Sequence, residues 1–254
     1  MEVKIVASGS DGNCVFIKSG NSGVLIDAGK WKRDIEKRLN EKNINPVTDI
    51  QAICITHSHS DHIRGLTLAN KYSYPVYATE GEWRGISGVN DDLKHTLSTA
   101  FGKYELIELG DLHVYPFRTY HDAHEPVGYA IEDDIGNRCC VVFDTGKIDE
   151  DMLHMMEGNI YVVEANHDED LLINGTYADH LKARILSEDR GHLSNAQTAA
   201  ALKRLIQGKQ ERIILTHISG RNNTPMHARA EVMRALREKG FKDGEHYHLE
   251  VCSD

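Results

Sequence analysis

Ile55-Thr56-His57-Ser58-His59-Ser60-Asp61-His62 places three histidines and an aspartate within six residues. The apolar run Ala52-Ile53-Cys54-Ile55 in front of it reads as a buried strand, and Ile63 to Lys71 behind it reads as a helix. In an extended segment His57 and His59 point to the same side, because side chains alternate with a period of two. A turn into the helix then aims Asp61 and His62 at a second point nearby. Borderline divalent ions take imidazole nitrogen and carboxylate oxygen well, so one compact segment can seed two adjacent metal sites. A loop that is merely rich in histidine has no need of the spacing H-x-H-x-D-H at a strand end.

A local cluster still needs ligands from elsewhere, and four residues have the right setting. Asp27 follows Val24-Leu25-Ile26 and precedes Ala28-Gly29. His121 follows the run Tyr115 to Thr119, Asp144 follows Cys139 to Phe143 and precedes Thr145-Gly146, and His217 follows Ile213-Ile214-Leu215-Thr216. Each is a polar residue at the C-terminal end of an apolar strand, where open α/β sheets gather their sites. Taken singly, each reads as a turn or capping residue. Four of them together with the histidine run read as one ligand set.

The remaining pattern is a mixture of strands and helices. Val3, Ile5 and Ala7 alternate with polar residues, and Cys14 to Ile17 and Val24 to Ile26 flank Ser19-Gly20-Asn21-Ser22-Gly23, a hairpin signal. Lys30 to Lys42 reads as a helix with Ile35 and Leu39 inward. Strands are expected at Val76 to Ala78, Leu106 to Glu108, His113 to Phe117, Val127 to Ile131, Cys139 to Phe143, Ile160 to Val163, Arg212 to Leu215 and His246 to Val251. Helices are expected at Glu150 to Met156, Tyr177 to Leu186, Asn195 to Gln207 and Met226 to Lys239. No linker, repeat or low-complexity tract divides the chain, so the expectation is one α/β domain over residues 1–254.

The 254 residues include 21 Gly and 5 Pro, in keeping with many turns, and 15 His, an unusual number. No apolar run approaches the roughly 18 residues of a membrane span, and MEVKIVASGS lacks a basic-then-apolar leader. The expected location is the cytoplasm, with no membrane partner. Cys14, Cys54, Cys139, Cys140 and Cys252 are odd in number with no C-x-x-C spacing, which points to reduced thiols rather than a disulfide framework. A net charge of −10 excludes a protein coated in positive charge for long nucleic-acid contacts. It leaves room for a local basic groove, or for bound cations that reverse the local sign.

With these residues in place, the chain resembles the metallo-β-lactamase-fold hydrolases over essentially its whole length. Their pattern is an Asp after an early strand, then H-x-H-x-D-H, then a His, an Asp and a His at strand ends; here these are Asp27, His57 to His62, His121, Asp144 and His217. More narrowly the chain is similar to the WalJ/YycJ branch. The stretches that carry this are Ser8-Gly9-Ser10-Asp11-Gly12-Asn13, His121-Asp122-Ala123-His124-Glu125-Pro126, Glu164-Ala165-Asn166-His167-Asp168, Gly191-His192-Leu193-Ser194-Asn195 and Thr216-His217-Ile218-Ser219.

The resemblance implies a four-layer αββα sandwich, two divalent metal ions (Zn2+ or Mn2+) and a phosphodiesterase, most nearly a 5′-to-3′ DNA exonuclease. It implies that His57, His59 and His121 bind one metal, that Asp61, His62 and His217 bind the other, that Asp144 bridges, and that Asp27 orients a loop or a ligand from behind. Glu164 and His192 look like the glutamate–histidine pair of tRNase Z, with His192 giving a proton to the leaving oxygen; the alternative for His192 is a residue that simply lies beside a helix start capped by Ser194 or Asn195. Ser8, Ser10, Asn13 and Asn222 are candidate phosphate contacts, with plain turn roles as the alternative. His124 and His167 lie near the motifs as cleft-lining residues. Lys32, Arg33, Lys37 and Arg38 read as a solvated helix face, and Trp31 and Trp83 as core or rim packing rather than base stacking. His95, His113, His154, His227, His246 and His248 fit no ligand pattern. The rival activity is hydrolysis of cyclic mononucleotides, which would suit a homodimer; a second rival is a metal-stabilised binding module without catalysis.

Overall fold

The computed structural model describes residues 1–100 and 103–252. The chain divides into two compact units, Met1–Arg118 with Ala123–Asn137, and Thr119–Asp122 with Arg138–Asp254.

In the first unit, β1 (Glu2–Ala7), β2 (Cys14–Ser19) and β3 (Ser22–Ile26) form an antiparallel meander. The helix α1 (Lys32–Glu41) then carries the chain over to β4 (Ala52–Cys54), which lies parallel to β3. Two short helices follow, α2 (Ser60–Ile63) and α3 (Leu68–Tyr72), then β5 (Val76–Thr79), α4 (Glu80–Trp83) and β6 (Lys94–Leu97). The sheet order is β1-β2-β3-β4-β5-β6, and its second half is parallel. Parallel pairing puts the C-terminal ends of β3 and β4 on the same edge, and Asp27 and the histidine run leave from that edge.

Two-residue strands β7 (Thr99–Ala100) and β8 (Lys103–Tyr104) pair with each other. An antiparallel set of β9 (Ile107–Leu109), β10 (Leu112–Arg118) and β11 (Val127–Asp133) completes the unit. Ile35 and Leu39, one turn apart on α1, enter a core with Phe16, Leu25, Ile53 and Ile55.

The second unit is built on four parallel strands in the order β12 (Arg138–Val142), β13 (Ile160–Glu164), β14 (Glu211–Thr216) and β15 (Tyr247–Val251). Val141, Val142, Val162, Val163, Ile213 and Ile214 are consecutive and buried, as strands covered on both faces require. The connections include α5 (Glu150–Met155), α6 (Glu169–Asn174), α7 (Asp179–Ile185), α8 (Asn195–Leu205) and α9 (Pro225–Glu238). Ser194 and Gln197 close a capping box on α8, and Thr224 caps α9 with Pro225 in its first turn.

The long elements lie where periodicity places them. The helix expected over Ile63 to Lys71 is instead split into α2 and α3, because the Gly65 amide leaves the helical ladder to donate to the Ala28 carbonyl at 2.7 Å. The elements α4, α6, β6, β7 and β8 are all short and carried no readable period. Trp31 is not a packing residue: it stands just before α1 with 65% of its surface exposed. Arg38, expected on a solvated face, reaches back to the Val6 carbonyl at 3.2 Å.

Three glycines allow the segments around Asp61 to meet. A Cβ on Gly29 would fall 1.7 Å from the Asp61 carbonyl oxygen and 2.4 Å from the Asn13 amide, one on Gly12 2.6 Å from the Gly29 oxygen, and one on Gly65 2.2 Å from the Lys30 oxygen. Gly29→Ala should therefore force the backbone apart and cost at least about 1–3 kcal/mol, the usual scale of an overpacked site. Urea unfolding measures this, and an unchanged midpoint would show that the segments can separate freely.

Candidate metal centre

In the first unit the site begins with Asp27. Its φ is +61°, a left-handed conformation that a non-glycine residue adopts at a cost, and its carboxylate is fully buried. Oδ1 accepts from the Thr56 amide at 2.8 Å, and Oδ2 from the Thr56 hydroxyl at 2.8 Å. His62 Nδ1 lies 2.7 Å from Oδ2. An imidazole whose Nδ1 donates to a carboxylate presents Nε2 as the ligating nitrogen. His62 Nε2 lies 3.5 Å from Asp61 Oδ2 and 3.2 Å from Asn13 Nδ2. His57 Nε2 and His59 Nδ1 approach to 3.1 Å, and the His57 and His62 rings are 4.0 Å apart between centres. The histidine run thus converges as its spacing suggests, with Asp27 holding it from beneath.

In the second unit, the register pairs Glu164 with Thr216 across β13 and β14 and Val142 with Val163 across β12 and β13. Asp144, Glu164 and His217 therefore leave from one edge of three adjacent parallel strands. Asp144 and His217 take φ of +42° and +52° as the chain turns off the strand. His217 Nδ1 lies 2.6 Å from Asp144 Oδ1 and 3.2 Å from Glu164 Oε2. His192 Nδ1 lies 3.1 Å from Glu164 Oε2 and 3.4 Å from Asp144 Oδ1. His121 Nε2 is 3.8 Å from Asp144 Oδ2, while its Nδ1 sits 2.9 Å from the Gly191 carbonyl. Glu164 Oε1 accepts from the amides of Thr145 at 2.7 Å and Leu193 at 3.2 Å. One carboxylate thus pins two loops and orients two imidazoles.

Charge in this pocket has clear consequences. Burial alone would push His192 down, but Asp144 and Glu164 outweigh it and raise its pKa to about 9. His217 is raised to about 10 by the same two carboxylates against the same burial cost. Glu164 is fully buried, which alone would raise its pKa; the His192 charge and the bonds from both histidines hold it well below the usual carboxylate range. A pocket that binds protons this firmly suits a cation. Asp144, Glu164, His192 and His217 each offer a ligand atom, all within 4.8 Å of one another, so this group could hold a metal ion. Mixed nitrogen and oxygen donors of this kind suit a divalent metal ion.

The phosphate candidates scatter. Asn13 is buried, with Oδ1 accepting from the Gly9 amide at 3.1 Å and Nδ2 against His62. Ser8 is buried and Ser10 is exposed at the loop tip. Asn222 lies in the second unit, buried, its carbonyl accepting from the Asp168 amide and its own amide donating to Ser219 Oγ at 3.2 Å. His124 is exposed.

One residue with a bearing on the histidine run escaped the sequence reading, and one has a more specific setting than it indicated. Glu82 is fully buried, and its two oxygens accept from the amides of Ser58, between His57 and His59, at 2.7 Å and of Glu125 at 2.6 Å. Nothing in its surroundings in sequence signals a partner 24 residues away. His167, placed only as a lining residue, is buried with neither ring nitrogen hydrogen-bonded among the described residues, and burial lowers its pKa to about 4.

The pKa shifts generate a stability prediction. Unfolded histidine titrates near about 6.5. Since the folded values lie above this, His192 and His217 contribute their full stabilisation below about pH 6.5 and lose it as the pH rises through 9 to 10. In chelator-treated protein the thermal midpoint should fall over that window more steeply than in a His192→Ala/His217→Ala double variant. Parallel profiles by calorimetry would show that the two protons are not held as described.

Residues 23–218 match the beta-lactamase superfamily domain. The chain is 35% identical over 251 residues to exodeoxyribonuclease YycJ of Bacillus anthracis, covering 98% of this chain and 94% of that protein. It is 38% identical over 227 residues to exodeoxyribonuclease WalJ of Streptococcus pneumoniae, covering 86% and 82%. Among solved structures, the metallo-beta-lactamase fold protein YhfI of Bacillus subtilis superposes with a TM-score of 0.71 at 14% identity, covering 99% of this chain and 96% of that one. That likeness shows the α/β fold expected from the motifs. The family match runs through the histidine cluster at one end and His217 at the other, and the chain belongs to the beta-lactamase superfamily domain family, in its metallo-β-lactamase-fold form.

Proposed function

We propose that the protein is a dinuclear metal-dependent DNA exonuclease acting from the 5′ end, and that the two units are halves of one metallo-β-lactamase-fold domain spanning residues 1–254. The observation that carries the hydrolytic reading is the Glu164–His192–Asp144 arrangement at the ends of β12 and β13. The choice of DNA rests on the two relatives named exodeoxyribonucleases. The family match running through both units supports the single domain.

In this reading His57, His59 and His121 would hold one cation, Asp61, His62 and His217 a second, and Asp144 would serve both. Such ions, Zn2+ or Mn2+, would supply charge neutralisation at the phosphate and an acidified water. Asp27 fixes the tautomer of His62 through Nδ1. Glu164 holds His192 by Nδ1, which leaves the Nε2 proton for the leaving oxygen. Its two backbone bonds keep Glu164 ionised and still, so that the imidazole does not need to reorganise as the bond breaks. The four buried cysteines are free thiols, in keeping with a cytoplasmic location. No helix among the described residues is long and apolar enough to cross a membrane.

Elemental analysis of reconstituted protein should give about two ions per chain, and Asp144→Ala should lose both metal and activity. A fixed stoichiometry of one would sink the dinuclear reading.

His192→Ala should keep its metal but slow DNA turnover by about 10²–10⁴. The loss should shrink on a nitrophenyl diester, whose leaving group needs no proton; an equal loss on both substrates would remove the acid role.

Assayed against single-stranded DNA, duplex DNA, RNA and cyclic mononucleotides, the metal-loaded protein should degrade DNA from 5′ ends with steep salt dependence. Efficient hydrolysis of cyclic mononucleotides with DNA untouched would assign it to small substrates instead.

A further inference from the structure

Beside the histidine run lies an aromatic surface that the metal chemistry does not use. Trp31 is 65% exposed, although a tryptophan is a residue that folding normally covers. The Arg64 guanidinium sits 5.8 Å from the Trp31 ring centre, within cation–π range, and is itself anchored through Nη1 to the Asp11 carbonyl at 2.8 Å. Lys32 and Arg33 follow Trp31 directly, and Lys30 precedes it, in an ion pair with Asp11 at 3.7 Å. Arg64 against the ring, with Lys30, Lys32 and Arg33 beside Trp31 in the chain, gives this segment a basic character on a chain whose net charge is −10.

The position of this surface is fixed. Arg64 comes three residues after Asp61, and its amide donates to the Ser60 carbonyl at 3.0 Å. Gly29, two residues before Trp31, packs on the Asp61 carbonyl, and the Gly65 amide is tied to Ala28. The ring therefore stands on the same interlocked backbone that sets Asp61 and His62.

We propose that Trp31, braced by Arg64, is a stacking platform for an unpaired nucleobase of single-stranded DNA, adjacent to the scissile phosphate. This rests on the DNA reading given above and adds the subsite that holds the strand. Aromatic faces accept any base, and flanking Lys and Arg side chains take the backbone phosphates, the combination that single-strand binders use. A platform of this kind requires the terminal base to be unpaired, so it favours single strands and frayed ends over closed duplex.

The test uses metal-loaded protein and a single-stranded oligothymidylate with cleavage-resistant phosphorothioate linkages. In a Trp83→Phe background only Trp31 emits, and binding should quench it; an abasic oligomer of the same length should not. Trp31→Ala should weaken oligothymidylate binding about 5- to 150-fold, the range measured for loss of one base–aromatic stack. Trp31→Phe should restore most of it, while hydrolysis of a small nitrophenyl diester stays unchanged in both. The losses from Trp31→Ala and from the abasic oligomer should not add. If wild type cleaves DNA but Trp31→Ala binds it as tightly as wild type, the platform is wrong and the nuclease stands. Equal weakening of the abasic and normal oligomers by Trp31→Ala would likewise reduce Trp31 to a support for Arg64. A wild-type protein that neither binds nor cuts DNA overturns both readings together.

Discussion

The candidate cluster of each unit depends on polar residues being turned sharply off the ends of parallel strands. Asp27, Asp144 and His217 each follow an apolar strand, and each adopts a positive φ. For a residue with a Cβ this conformation costs on the order of 1–2 kcal/mol. The cost persists because the surroundings over-determine it. Asp27 receives two bonds from Thr56 and one contact from His62, and His217 is flanked by Asp144 and Glu164. The left-handed residue ends the ladder and points its side chain along the sheet edge rather than across a face. Both units use this device independently, at β3 in one and at β12 and β14 in the other.

Burying carboxylates in a chain that is already acidic needs compensation at each group. Asp27 is satisfied by neutral donors and an imidazole, so it shapes the histidine run without carrying a proton relay. Glu164 faces backbone amides with one oxygen and two imidazoles with the other. The difference suits the separate roles proposed for them, Asp27 orienting His62 and Glu164 orienting His192. His217, held protonated between Asp144 and Glu164, would have to give up its proton to a metal, so an ion bound through it would gain affinity as the pH rises.

Much of this was legible in the sequence, for local reasons. The spacing His57-x-His59-x-Asp61-His62 and the apolar runs before Asp27, Asp144 and His217 are short-range signals, and strand length and polarity survive folding. What sequence reading missed is long-range. Glu82 looks like any acidic residue at the start of a short helix, and only the fold brings the Ser58 and Glu125 amides to its two oxygens. Gly65 breaks an otherwise regular helical period because of a bond to Ala28, far back in the chain. Trp31 was misread for the converse reason: a tryptophan before an amphipathic helix normally packs, and nothing local shows that Ile35 and Leu39 already fill the face that α1 turns inward.

The loop Ser8 to Asn13 shows how one segment can support a turn through its backbone. Asn13 spends its oxygen on the Gly9 amide and its nitrogen on His62, and its backbone is stitched to Asp61 and Gly29. Both Asn13 and Ser8 are buried. The loop's rigidity is exported. Gly12 lets it lie against Gly29, Gly29 lies against Asp61, and the Asp11 carbonyl holds Arg64 under the exposed Trp31 ring. The glycines at 12 and 29 are needed for close backbone contact. That contact joins the turn of Asp61 and His62 to the exposed aromatic surface in one rigid piece, so a strand resting on that surface would be set in register with the turn by covalent and hydrogen-bonded geometry rather than by a mobile lid.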